Sequence, residues 1–210
     1  VAVLRDTRDD LVEPSQGTFF SAESSLAARA LGGQVGFAKT YLQGIWFKRL
    51  PGPRRIVFAT RASVGLADGF PQEPNPDDPE QKPIEDLPGS ERFFAGGDTT
   101  IRGFALDTVG EPKTISALGF PKGGNAVLIL NAELRVPVWK DIGAAVFVDG
   151  GNVFERVTDF DFGELRGSSG FGLRYRSPIG PIRVDLGFKM DRRELDTRRH
   201  VIHFSIGQAF

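Results

Sequence analysis

The chain has 210 residues, among them 26 glycines, 18 phenylalanines, one methionine and two histidines, a mixture that favours many short strands and turns over helices. A formal net charge of −1 leaves no electrostatic footprint for nucleic acid, and the absence of cysteine excludes disulfides and thiolate metal sites. No run of about 18 apolar residues exists, which excludes a membrane helix but not a membrane strand, whose signal is only about ten residues of alternation.

The chain opens at Val1 without a methionine, a basic stretch or an apolar signal segment, and reads as a piece or a processed form. Leu4 to Asp10 is a short charged segment, and Pro14 and Gly17 mark a turn after it. From Thr18 to Ala30 residues alternate, with Thr18, Phe20, Ala22 and Leu26 on one face and Phe19, Ser21 and Glu23 on the other. Over Ala22 to Ala30 a helix competes with the strand. Leu31-Gly32-Gly33 signals a hairpin. Val35 to Arg49 reads as a longer strand whose apolar face carries Val35, Phe37, Tyr41, Ile45 and Phe47, interrupted by Lys39; an outward lysine would have to snorkel to a headgroup region. Pro51-Gly52-Pro53 then turns the chain into Arg54 to Ala67, where Ile56, Phe58, Val64 and Leu66 oppose Arg55, Arg61 and Ser63.

The long stretch from Asp68 to Gly124 lacks strand-like alternation and far exceeds ordinary loop lengths. Its first part, Pro71 to Pro88, is rich in proline and acid and reads as mobile; Asp77, Asp78 and Glu80 read as a solvated acidic cluster rather than a calcium site. Its second part has content worth ordering. Phe93, Phe94 and Phe104 supply apolar anchors, Gly96, Gly97 and Gly103 let the backbone bend sharply, and Arg102 stands between Ile101 and Gly103. That composition predicts a docking loop.

The second half alternates more cleanly. Asn125 to Val138 places Ala126, Leu128, Leu130, Ala132, Leu134 and Val136 opposite Asn131, Glu133 and Arg135. In Ile142 to Asn152 the apolar set is Ile142, Ala144, Val146 and Val148, against a set that ends in Asp149. Arg166 to Arg176 opposes Phe171, Leu173 and Tyr175 to Ser168, Arg174 and Arg176. After a turn at Pro178 to Pro181, Ile182, Val184, Leu186 and Phe188 face away from Arg183, Asp185 and Lys189. Last, Ile202, Phe204, Ile206 and Phe210 oppose His203, Ser205 and Gly207. Trp46 and Trp139 fall near strand ends, where an interfacial aromatic belt would place them.

Some nine alternating segments fit either a membrane barrel with a wet, charged lumen or a soluble β-sandwich with a charged solvent face. The single very long connection tilts the reading toward the barrel. No catalytic or cofactor pattern emerges. Nothing sets a separation for Glu133, Asp149 and Asp185 as a glycosidase pair, His200 and His203 lack a third metal ligand, and Gly170-Phe171-Gly172 is not followed by a helix-like pattern.

Five motifs in order along the chain carry a resemblance. They are the segment Arg92 to Phe104; the spacing from Asp6-Thr7-Arg8-Asp9 to Pro14 and Gly17; Phe147-Val148-Asp149-Gly150-Gly151; Ser177-Pro178-Ile179-Gly180-Pro181-Ile182-Arg183; and the ending Phe204-Ser205-Ile206-Gly207-Gln208-Ala209-Phe210. Together they resemble the outer-membrane β-barrel assembly superfamily of the BamA/TamA type. The resemblance implies an all-β, antiparallel transmembrane β-barrel of about sixteen strands, with residues 1–210 as its C-terminal part of about nine and no periplasmic transport-associated domain. It implies that loop 68–124 is extracellular and folds back into the lumen with Arg102 at its tip, Asp149 as the wall partner and Glu133 as a second acidic contact. Parity agrees, since Glu133 and Asp149 both fall on the charged face. The resemblance further implies that Phe204, Ile206, Gly207 and Phe210 form the terminal insertion signal and one side of a lateral seam. Expected partners are the lipid bilayer, client outer-membrane proteins, accessory assembly subunits, and upstream strands or another chain to close the barrel. No cofactor and no enzymatic activity are implied. A secretion barrel exporting an adhesin or a fused phospholipase domain is the alternative within the family, and the soluble sandwich the alternative outside it.

Overall fold

The computed structural model describes residues 1–28, 35–70, 87–178, 180–193, 196 and 198–210. Its strands are β1 (Ala2–Asp6), β2 (Gly17–Ala27), β3 (Phe37–Arg49), β4 (Val57–Gly69), β5 (Ala126–Trp139), β6 (Ile142–Phe154), β7 (Arg166–Ser177), β8 (Gly180–Lys189) and β9 (His200–Ile206). They form one antiparallel sheet in the order β1 to β9, each strand paired with its neighbour in sequence, so β1 and β9 are its two edges. A second layer of sheet is absent among the described residues, which removes the sandwich alternative.

Register follows from the alternation. Arg61 stands opposite Asn131, Asn131 opposite Asp149, and Asp149 opposite Ser168, which places one row of polar residues across β4 to β7 on the inner face. The outer face carries Val146, Val148, Phe171, Leu173, Val184 and Phe204, all exposed. Apolar side chains that face outward from a single-layer sheet suit hydrocarbon rather than water.

The inner face is covered by residues 87–124. Short bridges pair Phe93 with Gly124 and Ala95 with Val109, and two 3-10 turns, Gly89–Glu91 and Pro112–Thr114, shape the rest. Leu87, Phe93, Ala95, Ile101, Phe104 and Val109 pack there against Phe37, Ala67, Val127, Ile129 and Val153 of the wall. The barrel wall therefore has a filled interior rather than an open one on this side.

Several expectations change. The helical alternative over Ala22 to Ala30 gives way to a strand through Ala27. On β3 the apolar face turns inward, because loop and C-terminal side chains fill the lumen against it: Phe37, Ile45 and Phe47 are buried, while Val35 lies before the strand and is exposed. Lys39 shares this inner face and has no need to snorkel. Its ammonium lies 3.3 Å from Glu91 and 5.0 Å from the centre of the Phe93 ring. Phe210 is not on the outer face with Phe204 and Ile206. β9 ends at Ile206, Gly207 adopts φ +105°, and the chain turns inward so that Phe210 packs against Ile45, Phe47, Val57 and Ala59. The expected hairpin at Leu31-Gly32-Gly33 and the acidic stretch with Asp77, Asp78 and Glu80 lie outside the described residues.

Candidate functional site

The site forms where the loop tip meets β5, β6 and β8. Glu133 is an inward residue of β5 and Asp149 an inward residue of β6; the cross-strand pairs Asn131 with Asp149 and Glu133 with Phe147 put the two carboxylates on diagonal positions of one face. Arg102 descends onto them. Its Nε donates to Asp149 Oδ2 at 2.8 Å, its Nη2 to Asp149 Oδ1 at 2.9 Å, and its backbone N–H to Asp149 Oδ2 at 3.0 Å. Its Nη1 donates to Glu133 Oε2, and the guanidinium plane lies 3.6 Å from the centre of the Phe147 ring. One planar fork thus serves two carboxylates and an aromatic face, an arrangement that lysine cannot reproduce.

The charges do not stop there. Glu133 also accepts from Arg135 Nε at 2.8 Å and Arg174 Nη2 at 3.0 Å; Arg174 Nη1 reaches Asp185 at 2.5 Å, Arg183 Nη1 lies 3.3 Å from the same carboxylate, and Arg183 Nη2 lies 3.5 Å from Asp98 in the loop. Four carboxylates (Asp98, Glu133, Asp149, Asp185) interleave with four guanidiniums (Arg102, Arg135, Arg174, Arg183). Arg174 and Arg183 stand directly opposite each other on β7 and β8, a repulsive pairing that the Asp185 carboxylate between them relieves. Space for this is made by Gly172, where a Cβ would sit 2.7 Å from Arg174 Nη1.

Burial makes the network consequential. Arg102, Glu133, Asp149 and Arg183 are each 1% exposed and Asp185 is 0% exposed. Burial alone would lower the Arg102 pKa, but the hydrogen bonds and charge of Asp149, with Glu133 behind them, raise it above the ordinary arginine value. Arg102 is a permanent cation here.

The backbone around the tip is gripped as well. Arg61 donates to the Thr99 carbonyl at 2.6 Å and to Asn131 Oδ1 at 2.9 Å, and Asn131 donates to the Thr100 carbonyl at 2.7 Å. Phe104 is fully buried under two cations, with Arg166 at 4.6 Å and Lys189 at 4.9 Å from its ring centre. Gly103, at φ +92°, rests on β8 and donates its N–H to His203 Nε2 on β9 at 3.2 Å.

The remaining loop residues singled out by sequence pack as anchors. Phe93 stacks on Tyr41 with ring centres 6.1 Å apart and occupies the space over Gly65, where a Cβ would sit 2.6 Å from its ring edge. Phe94 covers Gly123. Gly96 donates to Thr100 Oγ1 at 2.8 Å, and Gly96 and Gly97 both hold positive φ. At the edge, Phe204 and Ile206 point outward while Gly207 and Phe210 turn in. Sequence reasoning singled out neither Arg61 and Asn131 nor Arg174, Arg183 and Asp185 as partners of the tip; their inward parity was the available signal, and only the loop's path selects them. No group of three or more metal-ligating side chains occurs among the described residues.

A single-layer antiparallel sheet, apolar outside and charged within, with a long loop salt-bridged to its inner face, defines a wall of an outer-membrane-type β-barrel. The Omp85 superfamily domain matches residues 1–210, and the chain belongs to that superfamily. It is 28% identical over 214 residues to the outer membrane protein assembly factor BamA of Nitratidesulfovibrio vulgaris, covering 100% of this chain and 25% of that protein. A SAM50-like protein of Schizosaccharomyces pombe is 23% identical, covering 98% of this chain and 43% of its own length. The crystal structure of BamA from Haemophilus ducreyi lacking POTRA domains 1–3 shares the fold with a TM-score of 0.71 at 18% identity, covering 98% of this chain and 40% of that one. The chain therefore spans less than half the length of these relatives. It is an outer-membrane β-barrel segment from a family of assembly factors.

Proposed function

We propose that this chain is the C-terminal wall of a barrel that inserts β-barrel clients into the outer membrane through a lateral seam at β9. The observation that carries the reading is that β9 is short, seven residues against twelve in β7 and ten in β8, and that its ladder ends where Gly207 adopts φ +105°, so the last strand is held by a short ladder. In hydrocarbon an open edge needs a partner, and an incoming strand can supply it by edge pairing. Upstream strands or another chain close the barrel across this edge in the resting state. Arg102, held by Asp149 and Glu133, pins residues 87–124 of the loop inside and fixes the shape of the wall. Phe204 and Ile206 on the moving strand, with Gly207 and Phe210 just past its end, form the terminal signal. Accessory assembly subunits deliver clients, and the thin bilayer beside the seam receives them.

The test uses the full-length protein in liposomes. A disulfide from Ser205→Cys to a cysteine on the strand across the seam should abolish client insertion until reductant is added. Insertion that proceeds unchanged with the seam tethered rejects this function.

A further inference from the structure

Arg102 is held by β5 and β6, which both have neighbours on either side. β9, the last of the described strands, also reaches the tip. Among the described residues a single hydrogen bond joins β9 to the loop, from the buried Gly103 N–H to His203 Nε2 at 3.2 Å. Its geometry is constrained from below. A Cβ on Gly187 would lie 2.7 Å from Gly103 Cα, and a Cβ on Gly103 would lie 3.1 Å from Ser168 Cβ, so the tip backbone sits directly on β7 and β8. His203 is the cross-strand partner of Asp185, which itself lies 3.8 Å from Arg102 Nη1.

We infer that His203 is a positioning residue that ties the pinned loop tip to the seam strand, so that release of either loosens the other. This rests on the seam function proposed above. When seam opening draws β9 away from the loop tip, it takes the acceptor with it, and the Gly103 N–H loses that bond while its backbone stays seated on β7 and β8. An unmet buried donor is costly, so an intact tip holds β9 in place. Displacement of the tip in turn removes the only hydrogen-bonded loop partner of β9 among the described residues, and the coupling is reciprocal by thermodynamic linkage. To accept, Nε2 must carry a lone pair with the proton on Nδ1. A glutamine side chain can offer the same acceptor; an apolar residue cannot.

The experiment is hydrogen exchange on the full-length protein in lipid nanodiscs, followed in segments 99–106 and 200–206. His203→Leu should speed exchange in both segments by about tenfold, the effect of one lost acceptor for a buried donor. His203→Gln should restore wild-type rates in both. Arg102→Ala, which frees the tip without touching β9, should also speed exchange in 200–206. Should His203→Leu not accumulate, Gly187→Ala, which pushes the tip off β8, carries the same expectation for both segments. Loosening confined to 200–206, or equal rates in the Gln and Leu variants, overturns the tie. Client insertion indifferent to the seam disulfide, with both segments still exchanging together, would reject the seam function and leave the tie standing.

Discussion

Around the loop tip the inner face of β5 to β8 carries Glu133, Asp149, Arg174, Arg183 and Asp185, whereas the part of β2 to β4 beneath Phe210 carries Phe19, Ile45, Phe47, Val57 and Ala59 on the same face. Both stretches are inward by strand parity, and both are packed. They differ in what fills them. The first receives an arginine and the second receives Phe210, with Arg61 at 5.2 Å and Arg135 at 5.8 Å from its ring centre at the boundary between them. The polarity of an inner barrel wall thus follows its occupant, and the assumption that a lumen is uniformly wet fails wherever chain is folded into it. On the charged side, removal of one partner leaves unpaired buried charges; on the apolar side, it leaves a partly refillable gap.

That contrast sets the order of effects. In the full-length protein, Arg102→Ala should cost about 3–5 kcal/mol in denaturant unfolding and expose residues 87–124 to protease, because Asp149 and Glu133 lose their shared cation. Unchanged stability with unchanged protease resistance would break the comparison on its charged side. Phe210→Ala should cost less, about 1.5–3 kcal/mol, the scale of burying one large apolar side chain. A loss as large as that from Arg102→Ala would show that the apolar side is no softer than the charged one. Gly207→Ala should cost about 1 kcal/mol, since a Cβ disfavours φ +105° while no neighbour lies within 4 Å of it, and the loss should appear as faster exchange in 200–206.

The smallest effect lies outside the lumen, in the β1–β2 turn. Partial burial there raises the Asp9 pKa, but hydrogen bonds from the Ser15 hydroxyl and the Gln16 and Ser15 amides outweigh it and hold the value down to about 2. A depressed carboxylate stabilises the turn above the unfolded-state pKa of about 3.9 and loses that contribution as pH falls toward 2. Acid titration followed by exchange at residues 9–16 should show loosening between those values, and Asp9→Asn should remove the transition. The loop-tip network should not follow it, and a simultaneous release of both would mean that the two ends of the wall are coupled.

Much of the fold is legible in the sequence, because a period of two is a local property and a charge on the wrong face of a strand is conspicuous. β5 to β8 fall within two residues of their predicted limits for that reason. β3 was read with its faces reversed, since an apolar row looks the same whether it meets lipid or a folded-in phenylalanine. Phe210 was misplaced for a related cause: alternation was extended past Gly207, whose positive φ ends it. Within the site, the resemblance pointed to Arg102, Asp149 and Glu133. Arg61, Asn131, Asp185 and His203 became partners of the tip, and Arg183 of Asp98 near it, only through the route of the loop.

The order of β2 to β9, their inward and outward faces over most of the sheet, and the position of an arginine in a glycine-rich loop were all determined by sequence, because each depends on neighbours a few residues apart; β1, read as a charged segment, was not. Which carboxylates that arginine meets, and which strand accepts the Gly103 N–H, were decided by tertiary structure alone. Those contacts join residues 31, 47 and 100 positions apart, and no local pattern records where a loop of that reach comes to rest.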